Sequence, residues 1–195
     1  FPAGRKWEAV ARAAEKKRYV ICNADESEPG TFKDRVLLEE DPFAIVEAMT
    51  IAGFACGADE GIVYLRGEYP LAEFRLRQAL AAARAGGLLG AEIDLTSAGE
   101  GFRFDIAIRR GAGAYICGEE TALFNSIEGR RGEPRSKPPF PTEAGLFERL
   151  DGPGGVLRPP VAGIGIGQQG QVGRAGDVRG VAAGIDSLIL YVVND

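Results

Sequence analysis

Apolar positions recur along this chain in two rhythms, one helical and one strand-like. Trp7, Val10 and Ala14 fall at helical spacing among charged residues, so a helix is predicted over 7–17. Residues 18–23 are strand-like, and the run Tyr19-Val20-Ile21-Cys22 breaks directly into a polar segment, Asn23 to Arg35. A short apolar run that ends this way is how a buried parallel strand delivers a loop to a site. Asp41-Pro42 then marks a helix start, with Asp as N-cap and Pro at the first helical position. Phe43, Val46, Met49, Ala52 and Ala55 supply its predicted apolar stripe to about residue 57. Gly61 to Leu65 reads as a short strand. Pro70 opens a long helix through Phe74, Leu76, Leu80 and Ala83, ending at Gly86-Gly87. Residues 91–103 are polar and glycine-punctuated, Phe104 to Ile108 reads as a strand, and 119–129 as a helix. Strands alternating with helices predict an α/β fold with a mainly parallel sheet flanked by helices.

Beyond this the rhythm fades. Arg130 to Pro141 is proline-rich and basic, hence extended. Residues 150–184 are glycine-rich with little periodicity, and 187–193 read as one buried strand. No internal repeat is found. The expected organisation is an α/β domain over 1–148 and an atypical glycine-rich tail over 149–195.

Composition narrows the chemistry. The 195 residues make one domain or part of one, and the net charge is −5 with no basic tract. That argues against nucleic acid or an anionic membrane surface as the main partner. No apolar run approaches a membrane span, and there is no signal-peptide pattern. The chain begins with Phe1 rather than Met, so a fragment or processed product is expected. Cys22, Cys56 and Cys117 are scattered in apolar contexts, which suggests reduced thiols in a cytosol-like compartment. This sequence has no histidine, so Ser-His-Asp hydrolysis and histidine-ligated metal chemistry have no residues to work with. Chemistry must rest on carboxylates, lysine or a bound cofactor.

Two segments carry candidate chemistry. In the loop after the first strand, Asp25, Glu26 and Glu28 crowd together. Like charges repel, so folding them close needs compensating donors or a ligand; a solvated acidic turn is the competing reading. Residues 111–121 (Gly-Ala-Gly-Ala-Tyr-Ile-Cys-Gly-Glu-Glu-Thr) form a glycine-rich turn between a strand and a helix. Glycine admits close backbone approach to a ligand, and a helix N-terminus offers free N–H groups. Glu119 and Glu120 suit that positive end whether or not a ligand binds.

Taken in order, these segments resemble the flavin-carrying, NADH-binding subunit of NADH dehydrogenases, a family that includes the corresponding subunit of respiratory complex I. Diaphorase subunits of NAD-linked hydrogenases and formate dehydrogenases share it. The matching residues are Phe1 to Trp7, Asn23 to Arg35, Tyr64 to Tyr69, Gly111 to Glu120, and Lys137 to Pro141 followed by Gly145 to Phe147. The resemblance implies a Rossmann-like α/β sandwich that is a fragment of a larger multidomain subunit. It implies NADH oxidation by hydride transfer to FMN, with electrons passed to iron–sulfur clusters. No residue of the chain is expected to act as acid or base in that step.

The resemblance also assigns roles by position. Lys6 would lie near the flavin phosphate, and Asn23, Asp25, Glu26, Gly118 and Glu119 would hold the flavin. Glu28, Glu120 and Lys137 would meet NADH, and Phe1 and Phe140 would wall its adenine. A further family aromatic has no counterpart, since Ala9 stands in its place. Arg66 and Glu68 read as a strand-end polar pair, and Asp34 and Arg35 as supports for the acidic loop. Cys117 reads as a small buried thiol. The family's glycine-rich phosphate run, its late Asn-Asn segment and its cysteine-rich [4Fe–4S] domain do not occur in this sequence, and the tail after about 149 is read as foreign to the family pattern. The resemblance implies other subunits of an NADH dehydrogenase-type complex as partners, notably a small iron–sulfur subunit. The implied location is cytoplasmic, and peripheral to the inner membrane within complex I, without membrane insertion. Two other readings stand beside it: a non-catalytic fragment that keeps the fold without flavin, and a metal-dependent hydrolase using Asp25, Glu26 and Glu28 around a hard cation.

Overall fold

In the computed structural model, the described residues are 7–8, 10–11, 17–93, 101–138, 141, 145–147 and 189–194. Five strands form one sheet: β1 (Arg18–Ala24), β2 (Glu60–Leu65), β3 (Gly90–Ile93), β4 (Phe102–Arg110) and β5 (Ile189–Asn194). Their spatial order is β3-β4-β2-β1-β5. The three central strands pair parallel, β4 with β2 and β2 with β1. The edge strands pair antiparallel, β5 on β1 and β3 on β4. The expected parallel sheet is thus its centre, with a reversed strand on either side. Helices α1 (Lys33–Glu40), α2 (Pro42–Cys56), α3 (Pro70–Ala85) and α4 (Glu120–Ile127) accompany it.

Strand alternation explains why helices cover both faces. In β1, Val20, Cys22 and Ala24 join a core with Val63, Leu65, Met49, Leu76 and Phe104. Tyr19 and Ile21 point the other way, into a second core with Ile62, Tyr64, Leu123, Phe124 and Ile127. Successive side chains on a strand face opposite sides, so one apolar run serves both layers. Each fully buried large side chain contributes about 1.5–3 kcal/mol relative to exposure. β4 is one-sided: Phe104 and Ile106 are buried, and Arg103, Asp105 and Ala107 are exposed.

Helix boundaries follow the predicted signals where these were strong. Asp41 caps α2 by accepting from the Ala44 amide at 3.2 Å, with Pro42 as its first residue. The stripe of α2 matches the expected one at Val46, Met49 and Ala52 and departs from it at both ends. Ile45, Val46, Met49, Ala52, Gly53 and Cys56 are buried, whereas Phe43 and Ala55 are exposed. Phe74 on α3 is likewise exposed, with Ala72, Leu76, Ala79, Leu80 and Ala83 facing inward. Small residues recur on these inner faces, and at Gly53 a Cβ would press into the Phe104 ring of β4. Residues 7–8 and 10–11 are helical, in line with the first predicted helix. No helix among the described residues is long and apolar enough to cross a membrane. Most of the tail, 150–188, lies outside the described residues.

Candidate functional site

Three loops leave the sheet at one level. Ala24 pairs with Leu65, which pairs with Arg110, so β1, β2 and β4 end together. Ligands of open α/β sheets bind beyond the carboxyl ends of such strands. The acidic loop, the segment 66–69 and the glycine-rich turn all start there.

Asn23 joins the first of these loops to the third. Its side-chain amide donates to the Gly118 carbonyl at 3.0 Å, while its oxygen accepts from the Asp25 amide at 3.3 Å. The two candidate segments, far apart in sequence, are thereby fastened by one buried side chain.

The three clustered acids have three different surroundings. Asp25 is buried, and its Oδ2 has no hydrogen-bond partner among the described residues. Burial pushes its carboxyl up to about 6, against smaller downward pulls from Ser27 and the Arg66 charge. A buried acceptor left unmatched is costly, so a ligand donor here has a free-energy reason to bind. Glu26 is buried but fully engaged. Oε1 accepts from the Asp34 amide at 2.9 Å, and Oε2 from the Arg35 amide at 3.0 Å and the Tyr69 hydroxyl at 3.2 Å. Those amides open α1, whose N-cap residue Phe32 makes no side-chain bond. Glu26 is therefore a remote cap. Glu28 is exposed at the corner Glu28-Pro29-Gly30-Thr31, closed by Thr31 N–H donating to the Glu28 carbonyl at 3.0 Å. Gly30 has φ 81°, which with Pro29 before it makes a type II turn. Among the described residues no group of three or more His, Cys, Asp or Glu is arranged to hold a metal ion, so the hydrolase reading lacks its cage.

The motif Tyr64 to Tyr69 ties these loops together. The Tyr64 hydroxyl is 2.8 Å from Ser126 Oγ on α4. Arg66 donates to the Glu26 carbonyl. The guanidinium groups of Arg35 and Arg66 lie 5.4 and 5.5 Å from the Tyr69 ring centroid. Arg66 and Glu68 do pair, at 3.3 Å, but the larger task of Arg66 is holding the acidic loop.

At the glycine-rich turn, Glu119 caps α4. Its Oε2 accepts from the amides of Thr121 and Ala122, both at 2.9 Å, and from the Thr121 hydroxyl at 2.5 Å. Lys137 lies 3.2 Å from Glu119 Oε1 and 2.5 Å from Glu120 Oε1. Burial pushes Glu119 upward, but its donors from Thr121, Ala122 and Lys137 outweigh that and hold it below the usual range. Burial pulls Lys137 down, and the two carboxylates more than offset it, leaving the amine raised. Cys117 is a buried free thiol pushed up by burial, with no activating shift.

The structure thus joins Asn23, Asp25 and Gly118 through direct bonds, turns the Glu26 carboxylate to the start of α1 instead, and groups Glu119, Glu120 and Lys137 in one ion-pair cluster. Phe1, Lys6 and Phe140 lie outside the described residues. Arg135 was not anticipated from sequence. Its guanidinium bonds Asn125, Glu128 and the Gly145 carbonyl around α4, and no spacing rule links it to partners so placed.

A family model described as the Nuo51 FMN-binding domain matches residues 1–150. An NADH-quinone oxidoreductase subunit of Rhizobium meliloti is 53% identical over 147 residues, covering 75% of this chain and 34% of that protein. The HndC subunit of the NADP-reducing hydrogenase of Solidesulfovibrio fructosivorans is 52% identical over 149 residues, 76% of this chain and 29% of that protein. The crystal structure of an NAD+-reducing [NiFe]-hydrogenase in the air-oxidised state superimposes with a TM-score of 0.65 at 42% identity, covering 76% of this chain and 24% of that one. The chain spans about a third of the length of the curated relatives it matches.

Proposed function

Since this chain belongs to the Nuo51 FMN-binding domain family, we propose that it binds FMN and NADH and serves NADH oxidation in an NADH dehydrogenase-type complex. The observation that carries this reading is the buried Oδ2 of Asp25, which has no partner among the described residues and lies two positions beyond the Asn23–Gly118 bond that joins the loops. The donor set fits a flavin: an amide, carboxylates and close backbone can meet a ring edge and ribityl hydroxyls. When bound, FMN supplies the hydride acceptor and the change from two-electron to one-electron transfer.

In this reading the residues bind and orient. Asn23 and Asp25 hold the flavin, Gly118 gives close backbone approach, and Lys6 meets the phosphate. Glu26 and Glu119 support this wall, each with its carboxylate already committed to a helix N-terminus. Glu28, exposed on its turn, accepts from ribose hydroxyls. Glu120 and Lys137 contact the dinucleotide, and Phe1 and Phe140 stack on adenine. Orientation of two reactants is a large part of such catalysis, and needs no protein acid or base. Electrons would leave for a [4Fe–4S] cluster of the full-length protein and a small iron–sulfur subunit, at a cytoplasmic location peripheral to the inner membrane. A diaphorase subunit of an NAD-linked hydrogenase or formate dehydrogenase is the second reading, favoured by the hydrogenase relatives.

The test is to load the full-length protein with FMN and titrate NADH without oxygen. Retained flavin that NADH bleaches is the expected result. Failure to retain flavin would overturn the proposal in favour of a fold without the cofactor.

A further inference from the structure

Lys137 reaches Glu119 and Glu120 from an extended segment with no secondary structure of its own. Such a segment needs an anchor to hold a lysine in place, and Arg135 is built as one. Its Nε donates to Asn125 Oδ1 at 2.9 Å, its Nη1 to the Gly145 carbonyl at 2.9 Å and its Nη2 to Glu128 Oε1 at 2.6 Å. Its guanidinium lies 5.8 Å from the Phe124 ring centroid. Both members of the ion pair are largely buried, with side-chain exposures of 15% and 6%. The Glu128 carboxylate also accepts from the Phe147 amide at 2.8 Å, so the segments on both sides of Phe140 are tied to α4.

The main chain of Arg135 completes the arrangement. Its N–H donates to Thr121 Oγ1 at 2.8 Å, and that hydroxyl donates to Glu119 Oε2. Glu119, Thr121, Arg135 and Lys137 therefore form a closed ring of contacts, and the side chain of Arg135 locks one corner of it. A planar guanidinium can serve three acceptors in fixed directions, which an ammonium on a flexible stem cannot reproduce.

We propose that Arg135 is a positioning residue: it holds the 131–138 segment on α4 so that Lys137 stands between Glu119 and Glu120, and so sets dinucleotide affinity. The second half rests on the proposed NADH-binding role of Lys137. The first half is independent of it.

Two measurements on the full-length protein separate the halves. The first is the rate at which an amine-reactive reagent labels Lys137, read by peptide mass spectrometry, in wild type, Arg135→Met and Arg135→Lys. The lysine variant keeps a charge against Glu128 and so guards against simple unfolding. Faster labelling of Lys137 in both variants, with the lysine variant melting close to wild type, is expected. Unchanged labelling would overturn the positioning role whatever the protein binds. The second is NADH affinity of the FMN-loaded protein. We expect it to weaken about tenfold, as for loss of one charge-assisted contact, with flavin retention unchanged. Freed Lys137 with unchanged NADH affinity would overturn the link to affinity. A wild type that binds no NADH would sink the functional reading and that link, while the labelling comparison would still decide the positioning role.

Discussion

Asp25 destabilises the flavin-free fold whenever it is ionised. Its folded-state value is about 6 against 3.8 for a free side chain, with burial as the main cause. Between those values the folded chain keeps a proton that the unfolded chain has lost. Stability therefore falls as pH rises through this window, by about 3 kcal/mol once the carboxyl is ionised in both states. Asp25→Asn removes the titration. It should be more stable than wild type near neutral pH by up to about 3 kcal/mol, and gain little near pH 4, in urea unfolding of the flavin-free protein. An equal effect at both pH values would show that Asp25 is not the titrating group. Glu28, exposed on its turn, offers the opposite case. Glu28→Ala should change stability by less than about 0.5 kcal/mol, retain flavin, and weaken NADH binding. Unchanged NADH affinity would remove Glu28 from the dinucleotide site.

At the level of elements, α1 depends on a residue outside it. Glu26 accepts from two of its first-turn amides and from Tyr69. Glu26→Ala should cost about 1–3 kcal/mol, since buried donors lose their acceptor, and amide exchange of Asp34 and Arg35 should accelerate. Protection that survives the substitution would mean that the helix needs no remote cap. This dependence also explains why α1 was not legible in the sequence. Lys33 to Glu40 has no apolar stripe of helical period and no local capping residue, and its cap comes from a loop that reads only as acidic. β3 was missed because Gly90–Ile93 is too short to show alternation. β1 and β2 were legible because burial on both faces gives them continuous apolar runs, β4 because Phe104, Ile106 and Ile108 alternate with polar or small residues, and α2 and α3 because Pro opens each and Gly follows it. The apolar stripe of α2 was legible at Val46, Met49 and Ala52 but not at its ends: Phe43 and Ala55 are exposed, and Ile45, Gly53 and Cys56 are buried as well, because the buried face is wider than one row at three-residue spacing. In the site, Asn23 and Gly118 were legible as members of two candidate loops, but their bond was not. Arg135 was invisible for a related reason: its partners are brought together only by tertiary folding.

The whole molecule works as three loops held at one height by three parallel strands. This makes the contact between the second and third loops a test of the site as a unit. Gly67 follows β2, and a Cβ there would press into the carbonyl oxygen of Gly111 at the start of the glycine-rich turn. Main chain cannot swing aside as a long side chain does. Gly67→Ala must therefore move the segment 66–69 away from the turn, and Arg66 and Tyr69 carry the acidic loop with them through Glu26. The strain should cost about 1–3 kcal/mol, while the central strands and helices keep their far-UV circular dichroism. Flavin affinity should fall further than this loss of stability alone would bring, because the distance between Asp25 and Gly118 is what the proposed cofactor spans. Flavin retained at wild-type affinity in a folded Gly67→Ala protein would show that the two loops bind independently, and the joined loops would have to be abandoned as the flavin site.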